Sequence, residues 1–264
     1  MPAGPESAAE ETFIALPTSA PTLTAIVIAA LLWCGACLGW RFFALPWLRR
    51  QCGDDAVAGA MTAVVRVYAR LFHRLRCRGA EALRDSVDPG ALIVVANHGA
   101  GIDPLLIQSA FRGHIRWMMA RDMMVPALRW LWDRERMIPV DFDRSDTAAV
   151  RDAIRHVREG GVLGVFPEGG LARPPERLMP FMPGVGLIVT RTGAPVALCA
   201  VRGTPKRDRA FESLIVPSRS SVDVIDVIRY SERERPEAIV ADLRRRLAEA
   251  TGWPMVEGDE QGRG

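Results

Sequence analysis

The hydrophobic pattern changes character twice along the chain. No charge stands between Glu11 and Arg41, and the stretch "LTAIVIAALLWCGACLGW" (23–40) inside that gap is almost wholly apolar. Eighteen helical residues rise roughly 27 Å, close to the hydrocarbon thickness of a bilayer, so a membrane-anchoring segment is predicted over 21–48. Glu6, Glu10 and Glu11 precede it, where a signal peptide would carry Lys or Arg. Arg41, Arg49 and Arg50 follow, which places the C-terminal side in the cytoplasm. The apolar "FFALPWL" (42–48) either lengthens this helix or turns at Pro46 into the interface. Residues 1–20 read as a disordered tail.

From residue 56 the period becomes helical. Val57, Met61, Val64, Val65, Tyr68, Leu71 and Phe72 form one stripe, and Arg66, Arg70, Arg74, Arg76 and Arg78 decorate its later part. This predicts a basic amphipathic helix reaching Gly79, in a membrane-associated region 49–90. Such a helix lies on an anionic membrane surface or packs on its own domain. Trp117, Trp130 and Trp132 leave the same choice between surface and core.

Beyond residue 90, short apolar runs alternate with amphipathic stretches. Strands are predicted at 91–96, 115–120, 137–140, 162–166, 195–201 and 222–228, and helices at 104–112, 125–135, 146–159 and 184–193. Strands separated by helices imply an α/β domain, here 91–230, with a largely parallel, helix-covered sheet. Ligands of such sheets gather beyond the carboxyl ends of the strands. Residues 231–264 read as a C-terminal helix (234–252) and a disordered tail after Trp253.

Composition adds exclusions. A net charge of +3 on 264 residues leaves no electrostatic footprint for a nucleic acid. The five cysteines are odd in number and scattered, which argues against a disulfide framework and for a reducing compartment. Cys34 and Cys37 read as small apolar residues of a helix. The four histidines have no clustered ligand spacing, so no metal site is expected.

Two strand ends carry the chemistry. In "VVANHGAGIDPLL" (94–106), His98 and Asp103 are five apart and cannot share a helix face. They meet only if the chain turns between them, a freedom that Gly99 and Gly101 would supply. A histidine held by a carboxylate is a general base of fixed tautomer. The same residues also fit a buried strand followed by a helix with Asp103 as N-cap and Pro104 at its first position. In "GVFPEGGLAR" (164–173), Glu168 stands at a strand end ahead of glycine backbone that can approach a phosphate closely. "IPVDFDR" (138–144) offers Arg144 at another strand end.

These blocks resemble the glycerolipid acyltransferases of the lysophosphatidate acyltransferase group. "NHGAGID" matches their N-H-x(4)-D motif and "FPEGG" their F-P-E-G motif. "IPVDFDR" is similar to their block ending I-P-V-D-R, "MMARDMMVPALRWLW" (118–132) to their block with a lysine where Arg121 stands, and "APVALCAV" (194–201) to their last apolar strand. The five blocks occur in the family order. The resemblance implies the glycerol-3-phosphate/lysophosphatidate acyltransferase fold with an N-terminal transmembrane helix. It further implies a bacterial inner-membrane enzyme with its catalytic domain on the cytoplasmic side.

By the same resemblance, His98 takes the proton of an acceptor hydroxyl and Asp103 orients it. The hydroxyl attacks the thioester of acyl-CoA or acyl carrier protein, and no cofactor is needed. Arg144, Gly169, Gly170 and Arg173 bind the acceptor's phosphate, and Glu168 binds the acceptor or braces the site. The expected acceptor is 1-acylglycerol 3-phosphate, a lysophospholipid; a lyso-ornithine lipid or a glycolipid is the alternative. A catalytically silent membrane protein, or a hydrolase using the same pair, is the reading from another class. Three departures touch the acceptor side: Gly170 stands in place of Thr with the arginine displaced to Arg173, Phe142 and Asp143 are extra before Arg144, and Arg121 replaces lysine.

Overall fold

The computed structural model describes residues 20–50, 55–79, 90–111, 113–142, 146–231 and 233–257. Their contacts divide into two compact units, the first ending at Trp47 and the second starting at Leu48.

The first unit is helical. Helix α1 (Ala20–Gly39) runs through a wider π-helical turn (Trp40–Ala44) into α2 (Leu45–Arg49). Pro46 therefore does not turn the chain back. Proline lacks an N–H and crowds the preceding turn, and a π-helical widening just before it is a known accommodation. Thr24–Arg49 is 26 residues and holds an 18-residue window of mean hydropathy 1.9, long and apolar enough to cross a membrane. The expected tail is almost entirely outside the described residues.

The second unit carries a seven-stranded sheet of order β1-β7-β6-β2-β5-β3-β4. Its strands are β1 (Arg76–Arg78), β2 (Leu92–Ala96), β3 (Ile115–Ala120), β4 (Ile138–Val140), β5 (Val162–Val165), β6 (Val196–Arg202) and β7 (Ser221–Ile228). Every neighbouring pair is parallel except β6 with β7. Helix α3 (Ala56–Leu71) and α4 (Asp103–Ala110) cover one face; α6 (Thr147–Arg158), α7 (Gly184–Thr192) and α8 (Pro236–Thr251) cover the other, while the short α5 (Arg129–Arg134) leads into β4.

Strand β2 explains why the sheet is central. Ile93 and Val95 pack under α6–α8, and Leu92, Val94 and Ala96 pack under α3 and α4. Strand β6 alternates in the same way, with Val196, Leu198 and Ala200 on the first face and Ala197, Cys199 and Val201 on the second. A strand buried on both faces must be apolar throughout, which is why these two runs show no polar alternation.

Three expectations change. The amphipathic stretch does not stay helical to Gly79: α3 ends at Leu71 and Arg76–Arg78 pairs with β7 instead. Three backbone pairings at a sheet edge outweigh helix propensity there. Arg66 also points inward, donating to Ser109 and Phe111 carbonyls (3.1 and 2.7 Å) and so capping α4. Finally, the chain is ordered past Trp253: Leu178 N–H donates to Pro254 O and Val256 N–H to Leu178 O, both 3.0 Å, and Val256 is buried. The remaining C-terminal residues from 258 lie outside the described set. Trp117 and Trp132 are core, whereas Trp130 is exposed.

Candidate active site

Because β2, β3, β4 and β5 are parallel, their following loops all emerge at one pole of the sheet. Strand β2 leaves the sheet at Asn97, which is fully buried. Its amide donates to Val201 O and accepts from Val201 N–H, both at 2.8 Å. The side chain thus supplies the two bonds that the departing backbone no longer makes, and frees His98 to turn away.

The loop then closes on Asp103. Its Oδ2 accepts from Gly99 N–H and Ala100 N–H, both at 2.8 Å, and faces His98 Nδ1 at 3.1 Å. Asp103 is fully buried and lies inside the first turn of α4, not at its cap. It therefore does not cap the helix as expected: its acceptor capacity is turned back onto the loop that carries the histidine. The glycines also act differently from expectation. Neither Gly99 nor Gly101 has a positive φ. Gly101 is required because a Cβ there would overlap the backbone of Ala210.

Nδ1 is thus fixed by Asp103 Oδ2, while neither His98 Nε2 nor the buried Asp103 Oδ1 has a hydrogen-bond partner among the described residues. The imidazole is stacked on Phe166 at 4.0 Å and 14°. With Nδ1 as the donor, Nε2 carries the free lone pair, the state a general base needs.

The loop after β5 is bound to this one. Glu168 accepts from His98 N–H through Oε1 (2.8 Å) and from Met179 N–H through Oε2 (2.9 Å). Ala172 N–H donates to His98 O at 2.7 Å. Burial pushes the Glu168 carboxyl up to about 7, against the two backbone bonds that favour its charge; Asp103 raises it further and Arg244 lowers it. Arg244 is itself tied to the carbonyls of Leu178, Met179 and Val256.

The other expected ligands are less enclosed. Gly169 has φ +73° and passes close to Met182 and Phe142, so only glycine fits. Gly170 is exposed. Arg173 donates to Ala172 O (2.8 Å), Arg207 O and Asp208 O (3.3 Å). Arg144 lies outside the described residues. Beside the pole, a cavity of about 910 Å³ runs along α6 and α7; it is lined by Phe166, Pro167, Met182, Val150, Ile154 and Ile188 among others, with Arg155, Arg158 and Arg191 at the far helix ends.

Against this geometry, residues 74–202 match the family model described as Acyltransferase. Over that stretch of 129 of the 264 residues, the chain is similar to the acyltransferase family. The matched stretch runs from just before β1 to the end of β6 and contains every expected site residue. Within it the N-H-x(4)-D and F-P-E-G stretches are joined by the bond from His98 N–H to Glu168.

A chloroplastic 1-acyl-sn-glycerol-3-phosphate acyltransferase of Brassica napus is 26% identical over 137 residues. That alignment covers 51% of this chain and 39% of the relative, so the chain spans about two fifths of that relative's length. The crystal structure of the 1-acyl-sn-glycerophosphate (LPA) acyltransferase PlsC from Thermotoga maritima has the same fold, with a TM-score of 0.61, 16% identity, and coverage of 88% of this chain and 96% of that one.

Asn97, Gly164 and Phe166 stand within the motif stretches, but the local sequence gives none of them a task, and nothing in it points to Arg244. Gly164 and Trp117 are neighbours only through the β3–β5 register. No local signal exposes such a pair.

Proposed function

We propose that the protein is a membrane-associated O-acyltransferase that moves a fatty acyl group from acyl-CoA or acyl carrier protein to the free hydroxyl of 1-acylglycerol 3-phosphate, giving phosphatidic acid. The observation that carries this reading is His98, clamped at Nδ1 by a buried carboxylate, without a partner at Nε2 among the described residues, and stacked on Phe166, which lines an apolar cavity. In the reaction, Nε2 accepts the hydroxyl proton as the hydroxyl oxygen bonds to the thioester carbonyl carbon. The C–S bond then breaks, and the imidazolium returns the proton to the departing sulfur. The products are one ester and one thiol, and the histidine is regenerated. Asp103 holds the tautomer and offsets the imidazolium charge.

Glu168 acts here as a brace, since both its oxygens accept backbone N–H groups. The apolar cavity suits an acyl chain. The N-terminal helix serves as anchor, and α3 keeps Val57, Val64 and Leu71 exposed, suited to a membrane surface. The bacterial inner membrane, with the catalytic unit in the cytoplasm, fits the arginines after the span.

A second reading keeps the chemistry and changes the acceptor to a lyso-ornithine lipid or a glycolipid. It is favoured by Arg173, whose guanidinium already serves three carbonyls, and by Gly170 in place of the family's threonine. The test is transfer of labelled acyl groups from acyl-CoA and from acyl carrier protein to a panel of lyso-lipids, with wild type and His98→Ala. Transfer to lysophosphatidate that disappears in the variant is expected. Transfer only to a phosphate-free acceptor selects the second reading, and unchanged transfer by His98→Ala rejects the mechanism.

A further inference from the structure

Asp103 fixes one atom of the His98 ring. One hydrogen bond leaves the imidazole free to swing about the Nδ1–Oδ2 direction, and swinging moves Nε2 away from any fixed acceptor. The second constraint is a stack of three rings. His98 lies on Phe166 at 4.0 Å and 14°, and Phe166 lies on Trp117 at 4.9 Å and 10°. These planes are close to parallel, and the last ring is anchored: Trp117 is 4% exposed, in the middle of β3. Its seat is Gly164, its register partner on β5. A Cβ at Gly164 would overlap the indole carbons Cδ2, Cε3 and Cζ3, so the indole lies flat over the glycine.

We propose that Trp117, seated on Gly164, is a positioning residue that sets the plane of the His98 imidazole through Phe166. This deepens the acyl-transfer reading and rests on it for its kinetic consequence. Trp117 touches neither the base nor, on this account, the substrates. It denies Phe166 the alternative tilts that would let the imidazole rotate. The imidazolium formed in the reaction also lies over the Phe166 face, where an aromatic ring attracts a cation, so a tilted ring gives less of that attraction in the transition state.

The test uses the full-length protein in detergent with Trp117→Leu, Trp117→Phe and Gly164→Ala. Trp117→Leu removes the backing ring. Gly164→Ala keeps the indole and pushes it off its seat. Trp117→Phe keeps an aromatic ring. The first two are expected to lower kcat about tenfold with the KM of both substrates nearly unchanged, the pattern of an interaction made only in the transition state. Trp117→Phe should recover most of the rate.

The second readout is independent of activity. The His98 ring-proton resonances, assigned by their loss in His98→Ala, should be shifted upfield by the Phe166 ring in wild type. They should relax downfield in Trp117→Leu and Gly164→Ala. A melting scan identifies any variant that fails to fold, and the remaining two then carry the test. Unmoved His98 resonances in folded Gly164→Ala overturn the proposal, as does loss of rate that merely follows the folded fraction. If wild type transfers no acyl group while the resonances move as expected, the acyl-transfer reading fails and the positioning device stands.

Discussion

The loop after β2 turns its polar atoms inward, whereas the loop after β5 divides its own between the protein and the space outside. From Asn97 to Asp103, both amide atoms of Asn97, both His98 backbone groups and the Gly99 and Ala100 N–H groups have partners within about 3.1 Å. In the second loop Glu168 and Ala172 are enclosed to that degree, and Phe166 O, Pro167 O and Gly169 N–H are also bonded, but Gly170 is exposed and Arg173 reaches across the surface to Arg207 and Asp208. The family's base motif is intact in the first loop, and two of the three departures from the family pattern fall in the second and in the adjacent loop after β4. A base must be fixed to within fractions of an ångström, while a headgroup pocket can change its ligands without disturbing it. On the proposed acyl-transfer reading, the first loop sets the chemistry and the second the acceptor.

The sharpest way to break this contrast is Asp103→Asn. The carboxylate Oδ2 takes two backbone N–H groups and His98 at once. An amide oxygen at the Oδ2 position accepts the same three bonds but brings no charge to offset the imidazolium, and its NH2 is left buried at the Oδ1 position, which has no partner among the described residues. A fall in kcat of about 10³-fold or more is expected with folding largely retained, measured by single-turnover transfer. A fall below tenfold would mean that the first loop is not over-determined.

Asn97→Ala should follow. It strands Val201 N–H and C=O, both buried where β2 leaves the sheet. The expected loss is about 1–3 kcal/mol of stability, read by denaturant melts. An accompanying loss of rate, about tenfold, comes from a His98 that is no longer launched from a fixed point. Asn97→Asp should fare no better, because a carboxylate cannot donate to Val201 O.

Much of this was legible beforehand. The six predicted strands all exist, because runs such as 91–96 and 195–201 are apolar on both faces and too short for helices. The pairing of His98 with Asp103 was also readable once the F-P-E-G stretch was set beside it. What was not legible depends on distant partners. Strand β1 is three residues that become a strand only because β7 offers an edge. Asp103 looked like a helix cap because local spacing cannot say which N–H groups a carboxylate chooses. Ordering beyond Trp253 rests on bonds to Leu178, some 76 residues earlier in the chain.

Glu168 tests where the two loops join. Its raised carboxyl means that the protonated form is favoured in the folded state. That contribution to stability is fully present below the ordinary value of 4.5 and is lost as pH rises through about 7. Wild-type stability should therefore fall between about pH 5 and 8 by a step of roughly 1–3 kcal/mol that Glu168→Gln lacks. Activity should run the other way across the same range, because only the ionised carboxylate has both oxygens bare to accept from His98 and Met179 N–H groups. Glu168→Gln must put its NH2 against one of those donors, and about a tenfold loss of kcat at pH 8 is expected. A wild-type melting profile flat across this range would remove Glu168 as the titrating brace.

The smallest effect is expected at Arg173. If its guanidinium were the main clamp on the acceptor's phosphate, Arg173→Ala would raise the acceptor KM strongly, since a charge-assisted bidentate contact would be lost. In the structure that guanidinium serves carbonyls of Ala172, Arg207 and Asp208, so it fastens the second loop to the segment after β6. The expected outcome is about a two- to threefold rise in acceptor KM, equal for phosphate-bearing and phosphate-free lyso-lipids, with donor KM and kcat unchanged. A rise above about tenfold confined to phosphate-bearing acceptors would move Arg173 from fastening the loop to reading the headgroup. The second loop would then owe its acceptor preference to the displaced arginine, whereas the expected outcome leaves Arg144 and the extra residues before it as the next place to look for the clamp.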